Sequence, residues 1–257
     1  MKKLFVFLFL SLAYGLSADN CYANSTFYGD QGLINTPSAY VIEDRKIEFS
    51  VSSLSPQVSY ILNKPNVLYS TSLGIFPRAE VGLIFNHVST GGQDPDNSYL
   101  KTSSFDRSIM ARFQVLYESE YIPALVVGGR DIFSNAIINR LTRPVDRQDE
   151  TTAWQQIFYL VAGKKFYDFN LNLGYSYAPG VPFGFTQSRA PVNTRINGIF
   201  AGLETPKLFS VVSAMIEFDT TRINYGVNIG PFYGIEAKAV MIDLTNFNFK
   251  ASWSTKL

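Results

Sequence analysis

Beyond Lys46 the chain alternates apolar and polar residues with a period of two, not the 3.6-residue period of a helix. In "FNLNLGYSY", Phe169, Leu171, Leu173, Tyr175 and Tyr177 face one way, and Asn170, Asn172, Gly174 and Ser176 the other. "RINYGVNIG" sets Ile223, Tyr225, Val227 and Ile229 against Asn224, Gly226, Asn228 and Gly230. "KIEFSVSS", "SIMARFQVLY" and the final "NFNFKASWSTKL" repeat the pattern. This predicts strands near 47–62 (broken near Ser55-Pro56), 67–76, 79–88, 107–117, 123–132, 153–163, 168–178, 197–204, 208–218, 222–230, 235–243 and 246–255. A short helical turn near 134–141 is the one other element expected.

Many of these strands are long. A strand in a soluble sheet averages about five or six residues, whereas a tilted membrane-crossing strand needs about 9–11. The connections alternate through the middle of the chain. Short links at Pro77-Arg78, 118–122 and 164–167 interleave with long ones at 89–106, 133–152 and 179–196. Outer-membrane barrels have short periplasmic turns and long outer loops. Phe76, Tyr117, Tyr121, Phe166, Tyr167, Phe232 and Tyr233 all lie at or beside the short turns, which suits an aromatic girdle at one membrane interface.

A dozen half-apolar strands with no helices to cover them need another partner for their apolar faces. Lipid supplies it if the sheet closes, and closure also pairs the last strand with the first. The expected fold is therefore all-β: a single transmembrane, antiparallel, up-and-down barrel. Both termini on the periplasmic side make the strand number even. Twelve is expected, with 10 and 14 as rivals.

The N-terminus, "MKKLFVFLFLSLAYGLSADNCYA", has the basic start, short apolar run and small residues of a secretory leader. Cleavage is expected after Ala23, with Ala18 as the other site. The domain reading is a signal peptide over 1–23, a periplasmic segment or plug over 24–46, and the barrel over 47–257. Cys21 is the single cysteine, so cleavage after Ala23 leaves a mature chain without one, as suits an envelope protein that uses no disulfide. Charged residues make up 17% of the chain and net charge is +1. With no basic cluster, nothing supports nucleic-acid binding. Outer-membrane lipid is the partner the pattern itself requires.

The polar parity names a set of lumen-facing residues: Glu48, Glu80, Arg112, Gln114, Asn170, Asn172, Glu217, Asn224, Asn228, Glu236, Lys238 and Lys250. They either line a path for a sugar chain or bond to one another and fill the interior; the filled or narrow lumen is the favoured reading. In "PALVVGGRDIF", Gly128 and Gly129 mark a bulge or a close approach. Arg130 and Asp131 are expected to pair with Asp106 and Arg107 at the head of the adjacent strand and so anchor the long loops. No catalytic residues, metal or cofactor are called for. His87, the single histidine, ends a strand on the parity of Val81, Leu83 and Phe85; a hydrolase triad would need it beside a serine and a carboxylate. "GGQDPDN" (91–97) has two carboxylates but lacks the final glutamate of an EF-hand loop, and reads as a solvated turn.

Two stretches resemble a known family. "GLINTPSAYVIEDRKIEFSVS" (Gly32 to Ser52) and "DRSIMARFQVLYESEYIPALVVGGRDIF" (Asp106 to Phe133) look like the YjbH-like outer-membrane proteins linked to exopolysaccharide and capsule production. The second motif is the more specific, and the resemblance extends over Gly32 to Leu257. It implies a non-enzymatic outer-membrane barrel that assists export or surface assembly of a polysaccharide. It also implies periplasmic or lipoprotein partners in an export system. Many members carry a much longer second half than this chain. A general or narrow porin, an outer-membrane lipid hydrolase and a secreted soluble adhesin are the competing classes.

Overall fold

The computed structural model describes residues 25–54, 66–88, 104–134, 156–179 and 196–257. The expected leader, the loop at 91–97 and the expected helical turn beyond Ser134 lie outside these residues. Among the described residues are twelve strands. They are β1 (Lys46–Leu54), β2 (Asn66–Gly74), β3 (Ala79–Val88), β4 (Ser104–Leu116), β5 (Ala124–Ser134) and β6 (Ile157–Phe166). They continue with β7 (Phe169–Tyr177), β8 (Gly198–Glu204), β9 (Val212–Phe218), β10 (Ile223–Phe232), β11 (Ile235–Ile242) and β12 (Asn246–Lys256). Each pairs antiparallel with its sequence neighbours, and β1 closes on β12 from Lys46↔Lys256 to Ser53↔Phe249. The result is a closed twelve-stranded up-and-down barrel, as the alternation predicts.

The reason lies in the two faces of each strand. Phe49, Val51, Leu173, Tyr175, Tyr225, Val227, Phe247 and Phe249 point outward and are exposed, while their neighbours in sequence are buried inside. A closed sheet leaves no unpaired backbone edge, which hydrocarbon requires. Phe49 and Trp253 stack across the closing seam with ring centroids 5.9 Å apart.

The rims differ. At the rim shared by the start of β1 and the end of β12, every link is short. Tyr167-Asp168 and Tyr233-Gly234 form two-residue turns with positive φ at both positions, the hairpin geometry that matches strand twist. Phe76, Tyr121, Phe166, Tyr167, Phe209 and Tyr233 project from this rim, each more than half exposed. At the other rim β9–β10 and β11–β12 also close tightly. β5 carries an irregularity where its register against β4 shifts between Phe133 and Gly129, with Asp131 at φ 55°. This is the bulge that Gly128-Gly129 suggests. One strand departs from strict alternation: in β4 Val115 and Leu116 are both exposed, because the β4–β5 register slips again between Gln114 and Leu116.

Candidate functional site

Residues 25–42 lie inside the barrel, and almost all of them are buried. The segment has no strand period and folds on itself in two tight loops, with isolated bridges at Ser25↔Gln31 and Gly32↔Pro37. Phe27 N donates to Ile34 O at 2.9 Å, Ser38 N to Gln31 O at 3.0 Å and Leu33 N to Thr36 O at 3.0 Å. Gly29 sits at φ 96° against Ser70, in the left-handed region and with no room for a Cβ.

A compact segment this short cannot satisfy its own backbone, and a buried unpaired amide costs roughly 1–3 kcal/mol. The wall meets that demand from two sides. From β3–β6, Arg112 donates to Gln31 O at 2.8 Å and to Ser38 O, while Glu80 accepts from Ile42 N at 3.1 Å. Arg112 and Glu80 also pair at 3.3 Å. Arg130 pairs with Asp30 at 2.7 Å and donates to Asn35 O at 3.0 Å; the Tyr159 hydroxyl donates to Asp30 at 3.2 Å. Glu48 on β1 accepts from Ser25 Oγ and from Gln31 Nε2.

From the far wall, Glu217 on β9 accepts from Ile34 N at 3.0 Å, Asn35 N at 2.9 Å and Thr36 N at 3.1 Å, and from the Thr36 hydroxyl at 2.8 Å. Lys238 on β11 donates to the carbonyls of Ser25, Gly32 and Leu33. Lys250 on β12 reaches Ser25 Oγ and Thr26 O. Asn172 on β7 accepts from Ala39 N at 3.0 Å.

Burial would raise the Asp30 carboxyl. The Arg130 and Arg112 guanidiniums and the Thr26 hydroxyl outweigh it and hold the Asp30 pKa below its ordinary value. The inner segment therefore carries a charge that only its surroundings make tolerable.

The interior also has apolar parts. Phe27, Tyr28 and Ile34 of the inner segment pack with Leu54, Leu68, Ile84, Met110, Val240 and Ile242 of the wall. A second cluster joins Ala39 to Val126, Ile157, Tyr159, Val161 and Phe200. Gly202 makes room for Leu33, whose side chain occupies the space a Cβ would need.

Eleven residues of the predicted lumen set are buried on the inward face: Glu48, Glu80, Arg112, Gln114, Asn172, Glu217, Asn224, Asn228, Glu236, Lys238 and Lys250; Asn170 is half-buried near the short-turn rim. They do not mainly pair with one another, as a filled lumen would suggest. Six of them, Glu48, Glu80, Arg112, Glu217, Lys238 and Lys250, bond to the inner segment, with Asn172 as a seventh. Asn224 supports Glu217 at 2.9 Å, and Glu236 pairs with Lys207 at 3.4 Å.

The expected loop anchor needs correction. Arg107 is exposed on the outer face, opposite Phe85, while Arg130 turns inward and is taken by Asp30. Asp131 is buried at the irregularity, and Asp106 lies in β4 opposite Asn86. Arg130 keeps the inward parity of Val126 and Gly128, opposite Ile157, and the shift in register that follows Gly129 turns Asp131 inward as well. His87 lies in β3 opposite Val67 and Phe105.

Sequence reasoning missed Asp30, Gln31, Asn35 and Tyr159. The first three lie where no periodicity exists. Tyr159 lies on β6, whose two faces, Ile157-Tyr159-Val161 and Phe158-Leu160-Ala162, are both apolar, so parity cannot say which is inside.

A closed antiparallel barrel, apolar outside and filled inside, is an outer-membrane transmembrane barrel. Over residues 24–138 the chain matches the model of the YjbH family, described as exopolysaccharide biosynthesis protein YbjH, the family its two motifs resemble. No curated protein matches it. Among solved structures it is similar to an outer membrane channel from Pseudomonas putida F1, with 12% identity, a TM-score of 0.43, and coverage of 84% of this chain and 97% of that one. It is also similar to outer membrane phospholipase A from Escherichia coli, with 10% identity, a TM-score of 0.36, and coverage of 85% and 94%. A Salmonella typhi outer membrane phospholipase dimer with bound calcium gives 10% identity, a TM-score of 0.37, and coverage of 85% and 92%.

Proposed function

We propose that this protein is a plugged, non-enzymatic outer-membrane barrel, exported by its leader, that assists export or surface assembly of an exopolysaccharide or capsule. One observation carries the reading. The stretch that matches the exopolysaccharide family contains both the inner segment and the residues Glu48, Glu80, Arg112 and Arg130 that grip it. The two motifs are thus two halves of one contact inside the barrel, and the shared property is a held plug rather than an open hole.

In this reading residues 24–46 form the plug, and passage of a polymer requires that it be displaced. The test is a deletion strain, with the polymer quantified separately in periplasm and medium. Less polymer outside, with accumulation in the periplasm, supports a role in export. Unchanged amounts in both compartments of a strain that makes the polymer overturn it. Steady conductance of the intact protein in a planar bilayer would instead make it a porin. Lipid hydrolysis by the purified protein that disappears in His87→Ala would make it a hydrolase.

A further inference from the structure

Two cavities meet on the outside of the barrel, one on the β6–β9 wall and one at the short-turn rim. The first is an apolar groove of about 530 Å³ on the lipid-facing surface. Its floor is a registered row, Ala162↔Leu173↔Ala201↔Phe218, flanked by Leu171, Leu203 and Ile216. Two features create it. Ala162 and Ala201 are small where neighbouring outward positions are bulky. β8 is only 7 residues long and registers with β9 over just Ala201–Glu204.

The second cavity, about 490 Å³, lies at the short-turn rim and is lined by Glu118, Ser119, Glu120, Lys164, Lys165, Phe166 and Tyr167. Lys164 borders both cavities. Its ammonium donates to Ser119 O and, at 2.9 Å, to Glu120 O, and lies 3.6 Å from Glu118. Phe166 and Tyr167, 59% and 82% exposed, mark this level as the membrane interface.

We propose that groove and rim cavity together bind one glycerophospholipid with a zwitterionic phosphoethanolamine headgroup. An acyl chain lies in the groove, the phosphate faces the Lys164 side, and the ammonium faces Glu120. The charges support this choice. Two lysines and two glutamates line the rim cavity, so its formal charge is zero. It complements a headgroup carrying both signs, and a net-anionic headgroup without an ammonium would leave the Glu120 carboxylate unmatched, since Glu118 is already held by Lys164, Lys165 N and Tyr40. The groove lies where hydrocarbon surrounds the barrel, and the cavity lies where headgroups do. The site also touches the plug: the Tyr40 hydroxyl donates to Glu118 at 2.7 Å, and Lys165 lies 5.1 Å from the Tyr40 ring.

The experiment uses the full chain purified in mild detergent, with retained lipid identified by native mass spectrometry. Ala201→Phe fills the groove from an outward position, where an apolar swap suits lipid. Ala237→Phe, also on the outward face but on β11, is the control. The expected result is retained phosphatidylethanolamine that falls at least tenfold in Ala201→Phe and is unchanged in Ala237→Phe. Equal retention in both variants means ordinary surrounding lipid and overturns the proposal. Lys164→Gln leaves the groove intact and covers the case in which Ala201→Phe does not fold. In nanodiscs it should lose several-fold preference for phosphatidylethanolamine over diacylglycerol and over phosphatidylglycerol. A preference that is absent in the wild type, or unaltered by Lys164→Gln, also overturns the proposal.

Discussion

The wall grips the inner segment in two different ways. On the β3–β6 side Arg112 and Glu80 hold backbone groups of the segment, and in addition Arg130 and Tyr159 converge on the carboxylate of Asp30. On the β9–β12 side the contact is mostly backbone: Lys238 takes three carbonyls, and Glu217 takes three N–H groups and one hydroxyl. Both sides read the shape of the loop, and the first also holds a buried charge of the segment, Asp30. The family match covers the segment and β1–β5, and so both Asp30 and Arg130, and ends at residue 138, before Tyr159 and Glu217. A contact between side chains constrains both partners, whereas a lysine that reads carbonyls constrains only the fold it meets.

The largest effect should come from abolishing both sides at once. Deleting residues 25–42 should open the lumen, and planar-bilayer recordings should show conductance many-fold above that of the intact chain. Equal conductance would mean the segment does not close the barrel. Next is Arg130→Ala, which strands the buried Asp30 charge and should cost about 3–5 kcal/mol, read from unfolding midpoints in detergent. Asp30→Asn should cost less, and the double variant should show strong coupling between the two sites. Additive losses would dissolve the side-chain reading of this wall.

Lys238→Met leaves three carbonyls without their donor and should cost roughly 1–3 kcal/mol. Combined with Asp30→Asn it should be additive within about 0.5 kcal/mol, since the two share no partner. A larger interaction term would join the two sides into one network. The smallest effect is a pH dependence. The lowered pKa of Asp30 gives stability that is present above the ordinary carboxylate value of about 3.9 and lost as pH falls through the lower folded value. A melting curve against pH should show this loss in the wild type, reduced in Asp30→Asn.

The wall was largely legible in the sequence because lipid and lumen impose opposite demands on alternate residues. Strands such as β7, β10 and β12, with Asn, Gly, Ser or Lys on one parity and aromatic or branched residues on the other, admit one orientation only. The grip was half legible. Parity says that Glu217 and Lys238 point inward, but not at what, because their target has no period of its own. Arg130 shows the limit: alternation puts it on the inward face of β5, but its partner, Asp30, lies in a segment without any period. The groove was not legible, because Ala162 and Ala201 become neighbours only through the register of β6, β7 and β8.

Ser25 and Lys250 touch although 225 residues separate them along the chain. That contact sets an order of events for biogenesis. Ser25 is synthesised long before β11 and β12, yet its binding place is incomplete until those strands have formed and closed on β1. The inner segment therefore cannot complete its contacts until the barrel is closed, and its full seating is the last step of folding rather than the first.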